Sequence, residues 1–178
     1  MYVWLGIDVS DQLTDLRAKA EAVDREMDFS HSCYTLPYHI SVKMSFPLPE
    51  EQFPACLQAV IDYFRTLSPF TVGVRGMEWE QTIAWIRMQK SPALDEIHDR
   101  LNALLGDRFG VGLHPYDCDY KFHTTLFMDD DAQKVGAALA KIQAHPLPDT
   151  LRVCRFLIGT SPNGALGTYT VHTVVDIG

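Results

Sequence analysis

Apolar and polar residues change period several times along this chain, and each change marks an element. Tyr2–Asp8 is a run of β-forming residues and reads as a strand. Ser10 is placed to cap a helix in which Leu13, Leu16, Ala20 and Val23 recur at helical spacing as one apolar stripe. Asp28–Leu36 is polar and irregular, a loop, and a strand follows over Pro37–Phe46 until Pro47-Leu48-Pro49 closes it. Phe53, Leu57, Val60, Ile61 and Phe64 define a second helix, with Pro54 in the first turn, where its missing N–H is tolerated. Phe70–Trp79 and Thr82–Met88 read as two strands joined by a tight hairpin at Glu80-Gln81.

Ser91-Pro92 supplies a cap and a first-turn proline for a third helix, whose predicted buried stripe is Leu94, Ile97, Leu101 and Leu104. The loop Gly106–Asp119 leads to a strand over Tyr120–Met128. Asp130 with Gln133 has the spacing of a capping box for a fourth helix bearing Val135, Leu139 and Ile142. His145-Pro146-Leu147-Pro148 ends that helix. Two strands, Leu151–Gly159 and Thr168–Asp176, then flank the turn-rich Ser161-Pro162-Asn163-Gly164. Strand, helix, strand, helix and strand thus occur in order twice, over about 1–79 and 82–160, with a closing strand at 168–176. The expectation is an α+β fold, one domain over 1–178. Its two duplicated lobes would carry mainly antiparallel sheets around a central cleft.

The third and eighth runs share a pattern. His39-Ile40-Ser41-Val42 and His123-Thr124-Thr125-Leu126 each hold a histidine, any residue, a hydroxyl residue and an aliphatic one, with the histidines 84 residues apart. Alternation along a strand puts His39, Ser41 and Lys43 on one face, and His123, Thr125 and Phe127 on the corresponding face of the other. A single such tetrad is commonplace. Two in corresponding strands of a duplicated chain point to paired chemistry, with an imidazole and a hydroxyl from each lobe facing one cleft.

The formal charge of −8 argues against coating long or duplex nucleic acid, where affinity comes from neutralising phosphates, and leaves a small phosphorylated ligand open. No apolar run reaches the ~20 residues of a membrane span, and Tyr2–Ile7 lacks a basic leader, so no membrane role or signal peptide is expected. Cys33, Cys56, Cys118 and Cys154 are scattered, which suits a reducing cytoplasm. Asp117-Cys118-Asp119 mixes hard and soft donors and is a poor metal site; Asp129-Asp130-Asp131 reads as an acidic helix start. No cofactor or metal is expected. His98 falls in a charged helix segment, His31, His114 and His145 in loops, and His172 in the last strand, so all five read as structural or surface residues.

The two tetrads, their order and the opening Val3-Trp4-Leu5-Gly6-Ile7-Asp8 resemble the signature of the 2H phosphoesterase superfamily, which includes 2′-5′ RNA ligase-like proteins and cyclic phosphodiesterases. Ser41 stands where threonine is commoner in that family, a change that keeps the hydroxyl. The resemblance implies a bilobal fold and metal-independent chemistry on RNA-type phosphates, with His39 and His123 as acid and base and Ser41 and Thr125 on the phosphate. Such chemistry suits imidazoles, which titrate near pH ~6.5. The leading expectation is hydrolysis of a 2′,3′-cyclic phosphate on a nucleotide or RNA terminus by a cytoplasmic monomer. The alternatives are 2′-5′ phosphodiesterase or ligase activity, or a module that binds such ends without turnover. Lys43 is open between a phosphate contact and a solvated edge lysine, and Phe127 between base stacking and packing. Trp4, Tyr34, Tyr38 and Trp85 are further candidates for the cleft, with nothing in the sequence to choose among them.

Overall fold

In the computed structural model, which describes residues 1–30 and 33–178, eight strands and four helices alternate much as the hydrophobic periods predict. The strands are β1 (Tyr2–Asp8), β2 (His39–Pro47), β3 (Phe70–Glu80), β4 (Ile83–Met88), β5 (His123–Met128), β6 (Thr150–Val153), β7 (Arg155–Ser161) and β8 (Thr170–Asp176). The helices are α1 (Thr14–Met27), α2 (Phe53–Phe64), α3 (Pro92–Phe109) and α4 (Ala132–Ile142). The loop reading of His31 lies outside the described residues. Among the described residues no helix is long and apolar enough to cross a membrane.

The helix starts show what periodicity alone does not resolve. Ser91 caps α3 as expected, its hydroxyl accepting from Leu94 N at 3.4 Å. Ser10 does not cap α1: a short 3-10 turn over Ser10–Gln12 intervenes, and the Ser10 hydroxyl donates instead to the Tyr38 carbonyl. At α4 the cap is Asp131, not Asp130, because it is the Asp131 carboxylate that reaches the Gln133 and Lys134 amides, at 2.9 and 3.3 Å. In α3 the buried stripe ends at Leu105, with Leu104 half-exposed, and the buried set also takes in His98. That helix runs past Gly106 and stops where Gly110 adopts φ +67°, the left-handed turn that glycine takes without strain.

All strand pairings are antiparallel, in two four-stranded sheets of order β2-β1-β7-β8 and β5-β4-β3-β6. The predicted strand over 151–159 is two strands, broken at Cys154. β6 pairs with β3 in one sheet and β7 with β1 in the other. The sheets therefore do not follow the two halves of the sequence: β3 completes the second sheet and β7 the first. The helices cross over too, α1 packing with α4 against β5, and α3 against β2. This exchange draws the inner edges together, so that β2 and β5, from different sheets, lie in contact.

One position in the first sheet has no room for a side chain. Gly159 faces Trp4 across the β1–β7 pair, and a Cβ on it would lie 1.9 Å from Trp4 Nε1 and 2.7 Å from the Thr170 carbonyl. The indole packs against that bare backbone, and against Gly6 as well, where a Cβ would fall 2.8 Å from the ring. Gly159→Ala should therefore displace Trp4 and cost about 1–3 kcal/mol as overpacking does. Urea unfolding followed by tryptophan fluorescence measures it, and an unchanged midpoint would show that the indole has room to move.

Candidate functional site

Strand alternation carries His39 and Ser41 to one face of β2, and His123 and Thr125 to one face of β5. All four line a single cavity of about 770 Å³. Each imidazole is fixed the same way. His39 Nδ1 lies 2.8 Å from the Pro37 carbonyl, and His123 Nδ1 lies 2.5 Å from the Lys121 carbonyl, in both cases two residues upstream. A carbonyl only accepts, so each Nδ1 carries its proton, and Nε2 is left without a protein partner among the described residues. Each ring also rests against a tryptophan, His39 on Trp4 at 4.5 Å and His123 on Trp85 at 4.9 Å between centroids. The two tryptophans were only unranked candidates in the sequence; their register on β1 and β4 beside the histidine strands is what places them here.

Burial lowers both imidazole pKa values below the usual histidine value, because removing water disfavours the cation. The hydrogen bonds to Pro37 and Lys121 oppose this in part. The remaining charges differ. His39 has Asp8 nearby, which favours its cation, and His123, which disfavours it; His123 has Arg87 and Lys121, which disfavour its cation. Cys33 also lines the cavity, but burial pushes its thiol up to about 12, so it holds its proton and is a poor nucleophile.

Beyond the hydroxyls, strict alternation fails in both strands at matching positions. Leu5 pairs with Lys43 and Gly6 with Ser41, leaving Val42 as an extra residue on β2; Ala84 pairs with Phe127 and Trp85 with Thr125, leaving Leu126 extra on β5. Such bulges shift the side-chain phase by one. Phe127 consequently turns into the core, 0% exposed and 5.4 Å from Phe29 between ring centroids, and is unavailable to stack a base. Lys43 is 2% exposed and is not a solvated edge lysine; its ammonium is bonded to Asp117 Oδ2. Met44 and Met128 line the cavity beyond the bulges, and Lys43, though paired, still forms part of its wall.

Residues 9–161 match the family model described as the 2′-5′ RNA ligase superfamily. The chain belongs to that superfamily. No curated protein sequence matches it, but solved structures share its fold along nearly the whole length. Escherichia coli LigT, solved with 3′-AMP, is 15% identical with a TM-score of 0.62, over 98% of this chain and 96% of LigT. TT0787 of Thermus thermophilus is 17% identical with a TM-score of 0.64, over 99% of this chain and 97% of TT0787. Usb1 of Kluyveromyces marxianus is 11% identical with a TM-score of 0.52, over 98% of this chain and 97% of Usb1. At these identities the likeness is one of fold, two antiparallel sheets with flanking helices, as the periodicity and the family resemblance imply.

Behind this superfamily cleft lies a polar cluster that the sequence does not announce. His98 on α3 is buried, and its Nδ1 donates to the carbonyl of Val42, the bulge residue, at 2.8 Å, while Asn102 Nδ2 donates to His98 Nε2 at 3.0 Å. His98 is thus a brace for the bulge. Asp117 accepts from Lys43 and from the His114 amide and so ties β2 to the loop ahead of β5, while Cys118 and Asp119 line the cavity. Asp129 is likewise committed: the amides of Asp131 and Ser30 hold its carboxyl well below the usual range and tie the start of α4 to the end of the 28–30 segment. His172 lies on the outermost strand of its sheet, edge-on to Phe53 at 5.0 Å. Lys43→Met would leave Asp117 buried without its cation, which costs about 3–5 kcal/mol for a pair of this kind. Asp117→Leu should cost a similar amount, and the double variant should cost less than the two together. Additive losses in urea unfolding would mean that the two charges are not coupled.

Proposed function

We propose that this chain is a metal-independent phosphoesterase that hydrolyses a 2′,3′-cyclic phosphate on a small nucleotide or RNA terminus. The observation that carries the reading is the pair of imidazoles, each anchored through Nδ1, with both Nε2 atoms free on one cavity. One Nε2 removes a proton from water as its oxygen attacks phosphorus. The bond from phosphorus to a ribose oxygen breaks, and the second imidazole delivers its proton to that oxygen. One water is consumed, and the two rings exchange protonation states, to be reset by solvent. The carbonyls of Pro37 and Lys121 stabilise whichever ring is cationic, and the Ser41 and Thr125 hydroxyls donate to the non-bridging oxygens, where charge builds. Asp8 beside His39, against Arg87 and Lys121 beside His123, favours His39 as the proton donor and His123 as the base.

The same pair serves transesterification at a 2′-5′ linkage, and the family to which the chain belongs favours that as the second reading. That LigT has been solved with 3′-AMP supports a nucleotide as the partner. Cys33, Cys56, Cys118 and Cys154 form no disulfide among the described residues, which fits work in a reducing cytoplasm, and we take the active form to be a monomer.

His39→Ala and His123→Ala should each lower turnover of 2′,3′-cyclic nucleotides by about 10²–10⁴-fold. Ser41→Ala and Thr125→Ala should each cost about 1–3 kcal/mol of transition-state binding. Near-native turnover by either histidine variant would put a binding module ahead of an enzyme.

The pH dependence has a definite sign. One ring must be neutral and the other protonated, and both pKa values lie below the ordinary histidine value. The kcat/KM profile should therefore be a bell whose alkaline limb falls below about pH 6.5. A profile still rising above neutrality would contradict the assignment.

A further inference from the structure

The cavity wall is poor in free positive charge. Among the described residues that line it, the only basic side chains are Lys43 and Lys121. Lys43 is sealed against Asp117, both side chains 2% exposed. Lys121, near the mouth, is held by Glu80 at 3.1 Å, and Asp119 adds a further negative charge to the wall. Of the two histidine motifs, the imidazoles and the hydroxyls of Ser41 and Thr125 are the groups that meet a phosphate. Ser41 and Thr125 can serve one non-bridging oxygen each, which matches the two such oxygens of one phosphodiester. Much of the remaining wall is apolar. At its rim Tyr116 and Leu166 are 68% and 53% exposed, the sort of surface a nucleobase covers.

We propose that this cavity selects ligands with a single phosphate and an otherwise uncharged, largely apolar body, such as nucleoside 2′,3′-cyclic monophosphates. It would discriminate against nucleotides carrying a second phosphate, which favours the small nucleotide over the RNA terminus within the proposed function. The proposal rests on the reading that the phosphate sits between His39 and His123. A second phosphate would enter a space whose cations are already paired, next to Glu80 and Asp119, in a chain of net charge −8. Among the described residues no unpaired cationic Lys or Arg lines the cavity to offset that repulsion, Arg87 acting on His123 without lining it, and the repulsion is screened by salt.

The test is calorimetric binding of adenosine 3′-monophosphate and adenosine 3′,5′-bisphosphate to the whole chain, native and Glu80→Lys, at low and high ionic strength. The bisphosphate should bind about tenfold or more weakly at low salt. The gap should narrow at high salt and in Glu80→Lys, which turns the pair with Lys121 into two free cations. Equal or tighter binding of the bisphosphate would overturn the proposal, as would a gap that neither salt nor Glu80→Lys changes, or failure of the monophosphate to bind. Turnover of adenosine 2′,3′-cyclic phosphate is measured in parallel. Selective binding without turnover would remove the hydrolytic function and leave the selectivity standing.

Discussion

In both halves of the chain an imidazole Nδ1–H is held by the carbonyl two residues before it, Pro37 for His39 and Lys121 for His123. That bond fixes the tautomer, turns Nε2 outward and sets the ring plane against a tryptophan. It works at this site only because two strands from different sheets are brought edge to edge. The exchange of β3 and β7 between the halves, with α1 and α3 packed across to the opposite sheets, is what holds them there. A rotation of either sheet would separate the two imidazoles and leave two ordinary strand histidines.

The paired bulges are the second constraint, and they give the cavity its electrical character. By shifting phase after Val42 and Leu126 they turn Phe127 into the core, tie Lys43 to Asp117 at the cavity wall, and present Met44 and Met128. A lysine that strict alternation would set beside the phosphate becomes half of a buried ion pair, and its bulge is braced from behind by His98. The cleft keeps its neutral donors and loses a free cation. The geometry of a backbone irregularity thereby sets which ligand charges the site tolerates.

Much of this was legible in the sequence, because the forces involved are local. Alternation placed His39 with Ser41 and His123 with Thr125, and the run Tyr2–Asp8 and the Ser91-Pro92 helix start stand as the residues predict. The bulges were not legible, since Val42-Lys43 and Leu126-Phe127 carry no turn residue and the shift is set by pairing with β1 and β4. The strand exchange was hidden for the same reason: the break at Cys154 depends on which sheet each side joins, not on local composition. In the run Asp129-Asp130-Asp131 every residue can cap, and only the path of the chain decides that Asp131 does while Asp129 is buried. His98 looked like a surface residue because its neighbours Asp99 and Arg100 are charged, yet its position on the α3 stripe turns it inward.

The claim that two Nδ1-anchored imidazoles face one phosphate is tested most directly by long-range ¹H–¹⁵N NMR of the histidine side chains, with and without 3′-AMP. Both rings should be Nδ1–H tautomers in the free protein at neutral pH. On addition of the nucleotide both Nε2 resonances should shift together along one binding curve. A ring found as the Nε2–H tautomer, or a nucleotide that perturbs one histidine and leaves the other untouched, would contradict it.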